Sequence, residues 1–423
     1  MPDENVRVRS PQKAASLGRF RSPLRGPWLT SIFGALLLVG LPVVILTGLL
    51  SYVAYGPQFG QALPVDVGWL QLPQFDWPTN PAWLYRLTQG LHVGLGLVLI
   101  PIVLAKLWSV IPKLFVTPPI RSVASALERL SLIALVGGIL FEIVTGVLNI
   151  QYDYIFGFSF YTAHYWGAWI FIAGFVSHAL IKTPLMIRTL RGRSLMQVLN
   201  DKQSEQEVGD SDLISDDPAE PTMSRRGALA LVGGGAVFVA VLTAGQTTGG
   251  FLRNAAILLP RGRSYGEGPN DFQINRTAAA AGIDGDATGA AWILELTGGP
   301  QAITFTRDAL LGMEQHTAEL PIACVEGWST VQTWTGVRLR DLAAATGVGN
   351  LESAQVTSIE VSGPFRQATL HSGQVLHPDS LLALQVNGVD LSPDHGYPAR
   401  IIVPAMPGVH NTKWVKAIEF RST

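Results

Sequence analysis

The chain has 423 residues, 48% of them hydrophobic and 14% charged, with a formal net charge of −1. That balance is too apolar for an ordinary soluble enzyme, and no basic patch interleaved with aromatics offers a nucleic-acid surface. One cysteine in the whole sequence excludes an internal disulfide, a four-cysteine zinc site, an iron–sulfur cluster and a covalently attached c-type haem.

Five apolar stretches are long enough to cross a hydrocarbon layer, which takes roughly 20 helical residues. They run over Leu29–Tyr55, Leu84–Ile111, Leu127–Ile150, Tyr161–Met186 and Gly227–Gly245. Before the first stand Arg7, Arg9, Lys13, Arg19, Arg21 and Arg25; along the second connection and the span ends that flank it stand Lys106, Lys113, Arg121 and Arg129; at and beyond the end of the fourth stand Lys182, Arg188, Arg191 and Arg193. The positive-inside rule puts these three regions in the cytoplasm. The connections 56–82 and 151–160 contain no Lys or Arg and are expected to face outward.

Residues 1–28 therefore form a basic cytoplasmic arm, and 29–187 a four-helix membrane domain. The linker 188–223 is acidic, with eight acids between Asp201 and Glu220 and no apolar periodicity, and is expected to be cytoplasmic. At its end Ser224-Arg225-Arg226 abuts a Gly- and Ala-rich run, so that 224–247 reads either as a fifth spanning helix with two positive-inside arginines or as a twin-arginine-like export signal inside the chain. Both readings put the chain beyond Gln246 outside the cytoplasm.

From 251 to 423 the pattern changes to short β-rich runs, Ala291–Leu296, Ile303–Phe305, Gln355–Val361, Leu381–Gln385, Arg400–Val403 and Trp414–Phe420, with a helical pattern over Arg338–Ala345. Gly and Pro clusters separate them. The fold class expected is multi-domain: an all-α transmembrane four-helix bundle, one further transmembrane helix, and an α+β domain.

Three histidines lie within the spans, where an ionisable side chain is costly and marks a candidate site: His92, His164 and His178. His164 and His178 are fourteen positions apart, so on one helix they share a face to within about 40° and differ in depth by about 21 Å. Depth pairs His92 with His164 as ligands of one b-type haem, since neutral imidazole is a standard axial donor. This arrangement over 29–187 resembles the four-helix b-type cytochromes that serve formate dehydrogenases, hydrogenases and periplasmic methionine-sulfoxide reductase. In the two-haem members a histidine on the first helix completes the second site; Leu29–Tyr55 contains none. His178 is left with three readings: sharing the haem, ligating a second haem with a non-histidine partner, or lining a quinone pocket.

The strongest local pattern is Cys324-Val325-Glu326-Gly327-Trp328-Ser329, followed by Trp334-Thr335-Gly336-Val337-Arg338-Leu339-Arg340-Asp341-Leu342. A second block reads His395-Gly396-Tyr397-Pro398-Ala399-Arg400-Ile401-Ile402-Val403-Pro404, then Asn411-Thr412-Lys413-Trp414. Together they resemble the molybdopterin domain of the sulfite-oxidase superfamily, especially the branch containing the catalytic subunit of methionine-sulfoxide reductase, over about 255–420.

The resemblance implies that Cys324 supplies the single protein thiolate to molybdenum, a metal that accepts soft sulfur donors. It implies that Arg400 holds the pterin phosphate through its fixed guanidinium fork, and that Asn411, Thr412 and Lys413 form the loop that adds further donors. His395 stands where the reductase branch has a cofactor-binding asparagine. Asn270, Gln273, Asn275 and Arg276 match the entry segment that touches the pterin, and Ser362 a further pterin contact. Gly327 is expected to permit close backbone approach, and Gly336 to turn Val337–Ala345 into a helix. His316, His371, His377 and His410 are read as ordinary surface positions.

The joined parts imply an oxidoreductase carrying Mo-molybdopterin and one b-type haem, with a second haem left open. The first expectation is a quinol-fed reductase of a small-molecule or protein-bound sulfoxide. The alternatives are a sulfite-type dehydrogenase sending electrons to quinone, for which only Arg338 and Arg340 stand near Cys324 in sequence, and a non-catalytic binding module.

Overall fold

The computed structural model describes residues 27–55, 75–114, 122–150, 160–192, 194–200, 223–258, 266–363 and 366–422. The basic arm over 1–26, most of the two connections read as outward-facing and the body of the acidic linker lie outside the described residues.

The five apolar stretches are helices: α1 (Pro27–Tyr55), α2 (Leu84–Leu114), α3 (Val123–Asn149), α4 (Phe160–Gly192) and α5 (Arg225–Thr248). All five are long and apolar enough to cross a membrane. Many of their large side chains are turned outward rather than into a protein core, Val39 at 71%, Leu127 at 62% and Leu180 at 75% exposure. Surface of that kind is stable only against another apolar phase. Helix α1 begins with proline at its first position, where the missing N–H costs nothing. Helix α5 is capped by Ser224, whose Oγ accepts from Gly227 N–H at 3.1 Å, so the serine beside the paired arginines starts the helix.

The chain divides into two compact units. The first comprises residues up to Val39, Leu99–Glu142 and Gly167–Ala236. Small residues let its helices approach: a Cβ on Gly138 would lie 2.9 Å from the Phe171 backbone, and one on Gly174 2.6 Å from Leu135 N.

The second unit comprises Gly40–Val98, Ile143–Trp166 and Val237–Thr423. Its C-terminal part holds two five-stranded sheets. One has the order β2 (Ile303–Thr306), β1 (Ile293–Thr297), β10 (Val415–Ser422), β5 (Leu351–Ser358), β6 (Gln367–His371), with only β1 and β10 parallel. The other has the order β3 (His316–Ala323), β4 (Ser329–Arg338), β7 (Leu381–Val386), β8 (Val389–Asp390), with β9 (Arg400–Ile402) also pairing β7. Alternate residues of β1, Leu294 and Leu296, are fully buried with Val356, Leu370, Ile418 and Phe420, the period-two burial of a half-covered sheet. Around β4, Trp334 packs with Leu320, Ile322, Leu381, Val386 and Ile402.

The α+β expectation holds for this part, but β3, β4, β6 and the two-residue β8 were not among the expected strands. Gly336 does not turn the chain into a helix. It lies inside β4, where a Cβ would stand 2.1 Å from the Leu382 carbonyl oxygen, and helix α6 (Leu339–Thr346) starts three residues later.

Candidate active site

Cys324 opens the hairpin turn between β3 and β4. The register runs from His316 opposite Gly336 to Ala323 opposite Ser329, leaving Cys324–Trp328 as the connection. Cys324 N–H donates to Trp328 O at 3.0 Å, and Gly327 N–H to Cys324 O at 3.0 Å. Gly327 takes φ +91, a conformation that favours glycine, and a Cβ there would also press on Val93 at 2.8 Å. Trp328 Nε1 donates to the buried Glu326 carboxylate at 2.6 Å. The cysteine itself is buried.

This turn is held from α2 and the end of α5. Gln89 Nε2 donates to Val325 O at 2.5 Å. Thr247 Oγ1 donates to Gly327 O at 2.7 Å, and Ser329 Oγ donates to Thr247 O at 2.8 Å. Arg86 fixes the same end of α5 through Nε to Thr247 O and Nη2 to Thr248 O, both at 2.9 Å. None of these contacts was visible in the sequence pattern; Gln89 and Arg86 are polar residues one turn apart near the start of an apolar span.

On the other side of the cysteine stands the segment after β9. Gly408 N–H donates to Ala323 O at 2.7 Å, and Ala323 bridges to Pro407. The next residues along the chain are buried: His410, Asn411 and Thr412. Asn411 Oδ1 accepts from Val403 N–H at 2.9 Å, while its Nδ2 and Thr412 Oγ1 have no hydrogen-bond partner among the described residues. Arg400 is buried too, its Nη1 donating to His395 O at 3.0 Å and Nη2 to Asn411 O at 3.2 Å, with Nε unpartnered. No carboxylate pairs with Arg400 among the described residues, and burial pulls its guanidinium down to about 9.

Lys413 is buried as well, its Nζ donating to Arg276 O at 2.5 Å and Asp394 O at 2.9 Å. Burial, reinforced by Arg400, holds its ammonium well below the usual lysine range, against the opposing pull of Asp394, Glu360 and Cys324. The His395 ring stacks on Phe272 with centroids 3.7 Å apart and donates from Nε2 to Asn270 O at 2.9 Å. Burial, then Arg400, pushes His395 down to about 3.

A site that buries two cations, neither of them in an ion pair among the described residues, together with several unpaired donors is unstable unless an anion with many acceptors fills it. A pterin ending in a phosphate has that chemistry, so the donor set fits. Gln273 adds to it: it is buried at 2% exposure and neither amide atom has a partner. The other expected pterin residues are engaged with the protein. Asn270 spends its amide on Asp390 O and Ser392 N–H. Asn275 Oδ1 accepts from Arg276 N–H, and Arg276 pairs with Glu360 at 2.9 Å. Ser362 is exposed.

Among the four histidines read as surface positions, His410 is corrected. It is 3% exposed, stacked on Tyr55 with centroids 5.9 Å apart, and burial pushes it down to about 4. Neither ring nitrogen has a partner within hydrogen-bond geometry, although the Tyr55 backbone favours its charged form. Its adjacency to Asn411-Thr412-Lys413 was the available signal. Arg338 is turned away from the cysteine, pairing with Glu314 at 3.1 Å and meeting His316 Nδ1 at 2.9 Å.

His92 and His164 come together in the same unit. Their ring centroids are 6.1 Å apart with planes at 83°. His92 Nδ1 meets the Val44 carbonyl at 3.0 Å and His164 Nδ1 meets Thr145 Oγ1 at 3.0 Å, orienting each ring through Nδ1. Two imidazoles sharing one metal need centroids about 6 Å apart, given metal–nitrogen bonds of roughly 2 Å. The ring separation is therefore of the size that one metal between the two imidazoles requires. His178 lies in the other unit, within electrostatic reach of Lys106, Lys182 and Glu128.

Residues 281–423 match the family model described as the oxidoreductase molybdopterin binding domain. The chain is 29% identical over 150 residues to mitochondrial sulfite oxidase of Drosophila melanogaster, covering 30% of this chain and 26% of that one. It is 30% identical over 133 residues to the uncharacterized oxidoreductase YuiH of Bacillus subtilis, covering 30% of this chain and 65% of that one. It is 36% identical over 101 residues to nitrate reductase [NAD(P)H] of Hordeum vulgare, covering 22% of this chain and 11% of that one. The chain thus spans less than two thirds of each of these relatives. With the buried thiol and the cation-rich cradle, this similarity identifies residues 281–423 as an oxidoreductase molybdopterin-binding domain of the sulfite oxidase family.

Proposed function

We propose that the chain is a membrane-bound molybdenum-dependent oxidoreductase passing electrons between the quinone pool, one b-type haem and an extracytoplasmic molybdenum–pterin site, and that it reduces a sulfoxide-type substrate. The observation that carries this reading is the hydrogen bond from Gln89 to Val325 O. It ties the residue after the candidate molybdenum ligand to the helix that, one turn later, bears the candidate haem ligand His92.

When bound, the molybdenum–pterin supplies two-electron chemistry and the haem one-electron transfer. The chain's own residues bind and orient. Cys324 offers the thiolate. Arg400, Lys413, Asn411, Thr412 and Gln273 offer buried donors to the pterin and its phosphate, and His395 stacks at their edge on Phe272. Asn270, Asn275 and Arg276 shape the entry segment, and Ser362 sits at the exposed rim beside it. His92 and His164 offer two oriented imidazoles to iron. The basic loops between helices favour a cytoplasmic N-terminus and an extracytoplasmic C-terminal domain.

A sulfite-type dehydrogenase is the second reading, favoured by the relatives named sulfite oxidase. An oxyanion substrate calls for unpaired cations at the metal, and Arg338 is committed to Glu314 and His316. A non-catalytic module has no observation in its favour.

The test uses detergent-purified protein, with molybdenum content and a reduced-minus-oxidised haem spectrum before and after methionine sulfoxide or sulfite. Reoxidation of reduced haem by the sulfoxide is the expected result. Reduction of oxidised haem by sulfite would replace it with the second reading. Cys324→Ser should remove either response while leaving the haem spectrum in place.

A further inference from the structure

Helices α1, α2 and α4 carry one arrangement twice, fourteen residues apart. At the first level His92 Nδ1 meets the Val44 carbonyl, and a Cβ on Gly48 would lie 2.7 Å from His92 Cε1. At the second, Lys106 Nζ donates to the Thr30 carbonyl at 2.7 Å, and a Cβ on Gly34 would lie 3.2 Å from Lys106 Nζ. Each partner is displaced by the same count: His92 to Lys106 on α2, Val44 back to Thr30 and Gly48 back to Gly34 on α1, His164 to His178 on α4. Fourteen residues are close to four helical turns, so each helix presents the same face at both levels.

The second level differs in what it can hold. An imidazole has one nitrogen for the carbonyl and another for a metal. Lysine has a single nitrogen, and that of Lys106 is directed to Thr30 O. The positions of Val44 and Ile45 become Thr30 and Ser31, both buried, with hydroxyls that have no hydrogen-bond partner among the described residues. Gly146, where a Cβ would lie 3.2 Å from His164, has Leu132 as its counterpart fourteen residues earlier. The level has lost a metal ligand and a glycine and has gained an ammonium and two hydroxyls. His178 stays, near Lys106 and beside the Lys182–Glu128 pair at 2.8 Å.

We propose that the Lys106 level binds the headgroup of a quinone or quinol, one ring oxygen accepting from the Lys106 ammonium and the other paired with His178, and that the chain holds one haem rather than two. A headgroup with two oxygens across a flat apolar ring matches donors on two facing helices flanked by apolar residues. This rests on the reading above that electrons are exchanged with the quinone pool.

The experiment measures haem per chain and the rate of haem reduction by decylubiquinol and by menadiol in the full-length protein. Wild type should hold one haem. Lys106→Met and His178→Phe should keep that haem and its spectrum, accept electrons from dithionite normally, and be reduced by either quinol about tenfold more slowly or worse, the value of one hydrogen bond to a charged group. Two haems in wild type, loss of haem in His178→Phe, or unchanged quinol rates in both variants would each overturn the assignment. Failure of the wider reading looks different: in that case His92→Ala would leave the haem spectrum unchanged.

Discussion

Gln89 and Val325 are 236 residues apart in sequence and share a hydrogen bond of 2.5 Å. The donor is a buried amide near the start of an apolar helix, and the acceptor is the carbonyl next to the buried cysteine. Removing the donor leaves that carbonyl unsatisfied away from water, a cost of about 1–3 kcal/mol. Gln89→Ala should therefore lower the melting temperature of the C-terminal part while leaving haem content unchanged. If the turn also aligns the two redox centres, reoxidation of haem by substrate should slow several-fold in stopped-flow spectra, and Gln89→Glu, which removes the amide donor but keeps the length, should slow it similarly. Wild-type melting and rates in both variants would reduce this contact to ordinary packing.

Thr145 and His164 make the corresponding contact at the pair proposed to hold haem, 3.0 Å from hydroxyl to Nδ1. A group that orients a metal-bound imidazole is typically worth 10–100-fold in metal affinity. Thr145→Val should weaken haem retention within about that range and shift the haem midpoint potential, without touching molybdenum content. Thr145→Ser should restore both. His164→Ala should abolish the b-type spectrum.

Arg400 braces the proposed pterin cradle from the protein side in addition to the charge it is proposed to offer the ligand. Its two Nη atoms hold the His395 and Asn411 carbonyls, and its guanidinium carbon lies 5.1 Å over the Trp334 ring. Lysine keeps the charge but cannot make both bonds in one plane. Arg400→Lys should purify with haem and with at least tenfold less molybdenum, a loss consistent with one or two charge-assisted hydrogen bonds. Asn411→Ala should do the same more mildly, since its amide is an uncharged donor. Full molybdenum content in Arg400→Lys would remove the phosphate role from this residue.

Much of this arrangement was legible in the sequence, and the reasons differ by region. The five helices were visible because an apolar run of that length has few alternatives, and His92 and His164 because charge-capable side chains are rare within such runs. Strand β4 escaped because Ser329–Arg338 mixes Thr, Gln and Gly with Trp and Val, and its identity comes from pairing with β3 and β7 on either side. Asn270 and Arg276 were placed at the pterin, yet their side chains serve Asp390, Ser392 and Glu360; a polar residue in a matching segment carries no mark of which way it faces. Gln89, Thr247 and Tyr55 could not be connected to the cysteine motif at all, since their contacts there span 80 to 355 residues.

His410 gives a pH test with a definite sign. Its ring is 3% exposed against Tyr55, and burial lowers its pKa from about 6.5 in the unfolded chain to about 4. The neutral form is thus the one the fold accommodates, and the unfolded chain binds the extra proton first. Stability from this group is fully present above about pH 6.5 and is lost as pH falls towards 4, by up to a few kcal/mol across that window. His410→Phe keeps a stacking ring and cannot titrate. Melting curves of the full-length protein from pH 7.5 to 4 should show the variant losing less stability than wild type over this interval, with the two converging towards parallel behaviour above pH 7. Equal acid sensitivity in both would mean that the ring is already charged, or is reached by water, near neutral pH, and the buried neutral histidine would have to be abandoned.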